Sequence, residues 1–271
     1  MSYSINSSTP NGLLAAQASS LTRLQSLGQK LSSGRAINSA LDNAAGLAQS
    51  SSFSVQLSST AVAMQGLQDG SSLLQTASGA LGEVSANLQQ LNDLAVQAGN
   101  GSLSASDRQA LQAQASQLTQ NLNQISGNTQ FNGQNLLDGS FSASLQTGPN
   151  AGDTQSLSLG SVSANALGLG SVDLTSSSGQ ASAMQAISQA MQQVNDQQAG
   201  VGASQSGLQA NFDQLSAQSG ALASSNASLS DADLAQAASS FSQEQVRQTA
   251  ATRMLSLYQS MQNDKLSLLP K

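Results

Sequence analysis

Three residue types are missing from this 271-residue chain: it contains no histidine, no cysteine and no tryptophan. Without them there is no imidazole base, no thiol nucleophile, no Cys/His zinc site and no disulfide framework. The zinc-protease pattern H-E-x-x-H is excluded for the same reason. Aromatic residues amount to only 3%, and each would bury about 150–250 Å² in a compact core. The core is therefore expected to be thin and built of Leu, Val and Ala, which favours elongated bundles. Charged residues make up 8% of the chain, against about 25% in ordinary domains. Eight Lys and Arg with a net charge of −6 argue against nucleic acid, whose phosphates need clustered cations. No apolar run approaches the ~20 residues that span a bilayer, and no basic-then-apolar leader opens the chain. The expectation is a chain with no catalytic residues, cofactor, metal or membrane contact.

What the chain has is heptads. Leu67, Leu74, Leu81, Leu88 and Ala95 are spaced by seven, and so are Ala77, Val84, Leu91 and Ala98. Paired apolar positions over four heptads predict a coiled-coil-like helix from about Asn43 to the Gly99-Asn100-Gly101 terminator. A second series runs Ile187, Val194, Val201, Leu208, Leu215, Leu222, Leu229, with a half-polar companion seam that includes Met184, Met191, Gln198 and Phe212. Between them, Leu111, Ala115, Leu118, Leu122 and Ile125 form one stripe behind Ser104-x-x-Asp107, a capping-box pattern with Asp in the usual Glu position. Single-striped helices need one another's stripes to be stable.

The stretch 127–180 is rich in Gly, Ser and Asn. Phe141, Ala143 and Leu145 alternate with polar residues, as do Gln155, Leu157 and Leu159, around the turn-forming "TGPNAGD". This predicts a β-hairpin at the tip of the bundle. The ends are thinly apolar: Leu14, Leu21, Leu24, Leu27 and Leu31 at one, a segment headed by Ser230-x-x-Asp233 at the other. Each end is marginal alone and is expected to order against the other or against further copies. The fold class is thus mainly α, an elongated antiparallel helical bundle. Its divisions fall at 1–42, 43–180, 181–229 and 230–271.

"LSSGRAINSALDNAAGLA", Leu31 to Ala48, breaks the helical pattern with two glycines, Arg35 and an Asn38/Asp42/Asn43 cluster. A phosphate loop needs a preceding strand and a Lys-Ser/Thr pair, and neither is present. A helix–helix junction remains. Arg35 and Asp42 are either an ion pair across it or two solvated charges.

The same stretch resembles the N-terminal signature of bacterial flagellins. "GLQDGSSLLQTASGALGEV", "LAVQAGNGSLSASDRQAL", "TQFNGQNLLDG" and the hairpin "SFSASLQTGPNAGDTQSLSL" follow in family order. "SLSDADLAQAASSFSQEQVRQTAATRMLSLYQSMQNDKLSLL" resembles the family's C-terminal segment. The resemblance implies a secreted, extracellular subunit of the flagellar filament, exported by the type III route. Its partners would be copies of itself, an export chaperone, and hook-associated and cap proteins. It assigns subunit assembly to the terminal helices, at Leu14, Leu21, Leu24, Leu27, Leu31, Phe241, Val246, Leu255, Leu257, Met261, Leu266 and Leu269. Gly34, Arg35, Asn38, Asp42 and Gly46 become the spoke, the two glycines absorbing its change of direction. The rod core comprises Leu74, Leu81, Val84, Leu88, Leu91, Leu111, Leu118, Leu122, Ile125, Ile187, Val194, Val201, Leu208, Leu215 and Leu222.

No large outer insertion is expected, because the second long helix follows the hairpin region closely. Gln89, Gln90, Asp93 and Leu94 match the segment that an innate-immune receptor reads in some relatives. Those relatives carry a basic residue where Gln90 stands and Glu where Asp93 stands, which implies reduced recognition here. Arg247 and Arg253 are read as solvated, and the Ser/Thr-rich 171–178 as a plain loop in preference to a glycan acceptor. The alternatives are a hook–filament junction protein, which shares the terminal signatures, and a surface adhesin or polysaccharide-binding rod, disfavoured by the shortage of aromatics.

Overall fold

The computed structural model describes residues 8–267. Among them are helices α1 (Ser8–Ser33), α2 (Ala40–Ala98), α3 (Ala105–Asn128), α4 (Ser177–Ser230) and α5 (Leu234–Ser267). Strands β1 (Gln130–Phe131) and β2 (Gln134–Asn135) form one antiparallel pair, β3 (Ser142–Gln146) and β4 (Thr154–Ser158) another. The chain divides into two compact units, one formed by residues 1–57 with 221–271 and the other by 58–220. Both divisions fall inside long helices, α2 and α4.

In the 58–220 unit the heptads are the core. Leu67, Leu74, Leu81, Leu88 and Ala95 are buried, together with Ala77, Val84, Leu91 and Ala98. On α4, Ile187, Val194, Val201, Leu208 and Leu215 join the same cluster, and α3 adds Leu111, Ala115 and Leu122. Leu118 and Ile125 are half-buried against it, as are Met184, Met191 and Phe212 of the wetter seam. α2 and α4 run antiparallel: Gln180 Nε2 donates to the Ala95 carbonyl at 3.0 Å, while Gly70 lies close to Leu208. Leu222 is half-buried and lies in the other unit.

The predicted hairpin forms, with Ala143 opposite Leu157 and Leu145 opposite Gln155. Its place differs from the expectation of a tip. Leu145 reaches Gly70, Asn211 Nδ2 donates to Gln155 Oε1 at 3.3 Å, and Leu157 lines a cavity with Leu74 and Val201. The hairpin lies along α2 and α4, where apolar side chains on one strand face have something to cover. The Ser/Gly-rich segment after it is also part of the core. Leu159, Val162, Ala164, Leu167, Leu169 and Leu174 are all buried. Gln112 of α3 clamps this strap, donating from Nε2 to the Val172 carbonyl (2.9 Å) and accepting the Leu174 N–H on Oε1 (2.7 Å).

Helix starts are set by short polar caps. The α3 capping box is complete: the Asp107 N–H donates to Ser104 Oγ and the Ser104 N–H to Asp107 Oδ2. At α4, Ser176 Oγ accepts the Gly179 N–H, while Thr175 and Ser176 donate their hydroxyls to Asp173. These two hydroxyls of the 171–178 stretch are therefore engaged in capping.

Such donors favour the ionised carboxylate. The Ser104 hydroxyl and amide hold Asp107 below the ordinary aspartate value of 3.8. The Thr175 hydroxyl and amide do so for Asp173, and those of Ser140 for Asp138. Asp42 is lowered too, first by the Asn38 amide and then by the Ser39 amide and hydroxyl. A lowered folded value means that the unfolded chain binds more protons as the pH drops. The stabilisation is therefore complete above the ordinary carboxylate range. It is lost as pH falls through 3.8 and then through the folded values. Helicity followed by circular dichroism should be flat from neutral pH to about 5 and then decline. A doubly substituted Asp107→Asn/Asp173→Asn chain should start less stable and show a shallower acid decline.

Candidate assembly face

The terminal helices α1 and α5 pack on each other. On α5 the covered positions are Ala237, Phe241, Glu244, Gln248, Ala251, Leu255 and Tyr258, each buried or half-buried. Their spacing alternates four and three, the signature of a helix–helix seam. On α1 the matching positions are Gln17, Ser20, Leu24, Leu27 and Leu31. The carboxylate of Glu244 lies inside this seam and pairs at its edge with the exposed Arg247, 3.4 Å away.

The apolar residues expected to work as one set divide between two faces. Phe241 and Leu255 point to α1, whereas Val246, Met254, Leu257 and Met261 are each more than half exposed. At 100° per residue the exposed four fall within an arc of about 80°, on the side of α5 away from the seam. On α1, Leu14 and Leu21 are likewise exposed, seven residues apart, beside the half-buried Leu24, Leu27 and Leu31. Leu266 lies in the last turns of α5, and Leu269 lies outside the described residues. Of the twelve exposed large hydrophobics among the described residues, ten belong to this unit; only Val62 and Val96 lie in the other. Of these ten, two lie on α1, three (Leu41, Leu47 and Val55) on α2 and five on α5. Charge divides the same way. Residues 58–220 carry nine carboxylates and one cation, Arg108, whereas the remaining residues carry five carboxylates and seven cations.

The expected junction lies in the same unit. α1 ends at Gly34, which takes φ +69°, a region a side chain disfavours, and donates its N–H to the Lys30 carbonyl (2.9 Å). The following residues pair with the α4–α5 connection. Ala36 N–H donates to the Ser230 carbonyl at 2.7 Å and Ala232 N–H to the Gly34 carbonyl at 3.0 Å, making an antiparallel bridge between Arg35 and Asp231. Asn38 Nδ2 then donates to the Arg35 carbonyl at 3.1 Å. Arg35 and Asp42 form no ion pair. Asp42 Oδ2 instead accepts the N–H groups of Asn38 and Ser39, at 3.1 and 3.0 Å, so its charge serves the first turn of α2.

Two further expectations are corrected here. The change of direction after Asp42 is taken by Asn43 (φ −165°, ψ 99°), whose Oδ1 accepts the Gly46 N–H at 2.9 Å. Asn43 thus caps the long helix proper, and Gly46 is helical. Glycine is needed at 46 for space, because a Cβ there would meet Ile37 Cδ1 at 2.5 Å and Asn43 Nδ2 at 2.7 Å. Gly46→Ala should therefore destabilise this unit by about 1–3 kcal/mol in denaturant unfolding, against the ~1 kcal/mol that Ala gains over Gly in an open helix. At α5, Ser230 is the buried last residue of α4, and Asp233 Oδ1 accepts the Gln236 N–H at 3.0 Å. The cap is Asp233, not Ser230.

Gln89, Gln90 and Asp93 are exposed and Leu94 half-buried. Gln90, Asp93 and Leu94 line a groove with Gln114, Gln117 and Leu118 of α3. Among the described residues no carboxylate group is arranged to hold a metal, and no helix is long and apolar enough to cross a membrane.

Family models for the "Bacterial flagellin N-terminal helical region" and the "Bacterial flagellin C-terminal helical region" match residues 5–142 and 184–269. The chain belongs to the flagellin family. It is 41% identical over 155 residues to a flagellin of Serratia marcescens, covering 57% of this chain and 44% of that one. It is 48% identical over 141 residues to the B-type flagellin of Pseudomonas aeruginosa, covering 52% and 29%. The aligned part is thus less than half the length of either relative. A crystal structure of Bacillus cereus flagellin superposes with a TM-score of 0.51 at 30% identity, over 56% of this chain and 88% of that one. Only residues 143–183 separate the two matched flagellin regions, so no large variable domain stands between them.

Proposed function

We propose that this chain is a structural subunit that polymerises into the extracellular flagellar filament. One observation carries the reading: Leu14 and Leu21 on α1 and Val246, Met254, Leu257 and Met261 on α5 form exposed apolar faces, on helices that lie in the N-terminal and C-terminal flagellin regions respectively. A second copy is the occupant that family membership supports. Two unlike faces, Leu14/Leu21 and Val246/Met254/Leu257/Met261, suit a heterologous contact, which propagates as an open helix unless its rotation closes. The Gly34–Gly46 segment would serve as the spoke between the terminal helices and the long helix, fixed by its bridge to Asp231.

In this reading an export chaperone covers the same faces before assembly, and cap and hook-associated proteins meet them at the polymer's ends. The Gln89–Leu94 segment would be read weakly by the innate-immune receptor, since Gln90 offers it no charge. Chains lacking residues 1–30 or 240–271 should form no filaments yet keep the helical circular dichroism of the 58–220 unit. Filaments formed by either truncated chain would overturn the proposal.

A further inference from the structure

The exposed face of α5 contains two of the five methionines whose side chains are described, and they differ from the rest. Met64, Met184 and Met191 are half-buried and packed on the core of the 58–220 unit. Met254 and Met261 are each more than half exposed, seven residues apart, and flank Leu257 on one stripe. With no cysteine, histidine or tryptophan in the chain, methionine sulfur is its most oxidisable group.

We propose that Met254 and Met261 are an oxidant-sensitive modification site that gates self-association. The inference rests on the assembly reading above. The reactant class is a hydroperoxide. The thioether sulfur attacks one peroxide oxygen, the O–O bond breaks, an S–O bond forms, and hydrogen peroxide leaves as water. Sulfur is oxidised by two electrons and the peroxide is reduced. The product is a polar, chiral sulfoxide where an apolar, flexible side chain stood. On the free chain both sulfurs are open to solvent; in an assembly they are covered. Oxidation should therefore act on subunits before assembly and spare the polymer.

The test exposes full-length chain to hydrogen peroxide, either free or after assembly. Oxidation at each methionine is followed by peptide mass spectrometry, and assembly by sedimentation. On the free chain, Met254 and Met261 should oxidise before Met64, Met184 and Met191. The concentration needed for assembly should rise by about tenfold or more, and methionine sulfoxide reductases should reverse the rise. In the polymer both residues should be protected. A Met254→Leu/Met261→Leu chain should assemble identically with and without peroxide, whatever concentration it requires. Assembly unchanged by full oxidation at both sites would overturn the inference, as would equal oxidation rates in free chain and polymer. So would peroxide sensitivity that persists in the leucine variant. If the leucine variant does not assemble, reversal by the reductases decides. Untreated chain that never assembles sinks the assembly reading, and this inference with it.

Discussion

A chain carrying Val246→Asp and Leu257→Asp should fold as the native chain does and form no filaments at concentrations where the native chain does. Both positions lie on the outer arc of α5, away from the seam with α1, so neither carboxylate enters the intramolecular core. Each substitution forfeits the burial of one apolar side chain, worth about 1.5–3 kcal/mol, and places an unpaired charge in the contact. Two such losses, at tenfold for every 1.4 kcal/mol, raise the assembly concentration by at least about a hundredfold. Circular dichroism and the unfolding midpoint should stay near native values, since exposed positions away from caps and cores change stability by about 0.5 kcal/mol or less. Sedimentation reads the loss. Normal filaments from the double variant would mean that the polymer contact lies elsewhere.

Leu88→Ala should produce the largest loss of stability. Leu88 is fully buried between neighbours Val84 and Leu91, in the cluster shared by α2, α3 and α4. Truncating a buried leucine costs about 2–5 kcal/mol, from lost transfer energy plus the cavity left behind. The upper half of that range applies, because three long helices held by many such contacts cannot close around one missing side chain. The paired comparison is Leu94→Ala, half-buried on the same helix, where a smaller loss is expected. Urea unfolding should give equal slopes and well-separated midpoints for the two variants. Similar midpoints would show that the heptad seam is not the core.

How much of this was legible in the sequence depended on whether one stripe or two lay on a helix. Leu67 to Ala95 and Ile187 to Leu215 each face a single core, so their spacing of seven identified the buried side correctly. α5 carries two apolar sides, a seam and an exposed arc. Phe241, Val246, Leu255, Leu257 and Met261 therefore read as one smeared set, and only burial separates them. The alternation of four and three through Ala237, Glu244 and Gln248 was present but hidden, because polar residues occupy several of its positions. The strap from Leu159 to Leu174 was invisible for a related reason. Its leucines have no regular period, and side chains of α3 hold its backbone, Gln112 at Val172 and Leu174 and Asn123 at Ala164. Local capping chemistry was readable at Ser104/Asp107. It misleads at Ser230, because the cap comes three residues later, at Asp233, where backbone bonds to Gly34 and Ala36, nearly two hundred residues away, set the turn. The spacing leaves Arg35 and Asp42 as either an ion pair or two solvated charges, and does not show that the Asn38 and Ser39 amides take the Asp42 carboxylate.

Self-assembly through the terminal helices can be watched by electron microscopy of the purified chain. Seeded with short filament fragments or brought to raised salt, the chain should grow into long, smooth filaments of uniform width. They should be thinner than those of flagellins with a large variable domain, since only residues 143–183 separate the two matched regions. Monomers or closed rings under every condition would contradict the account.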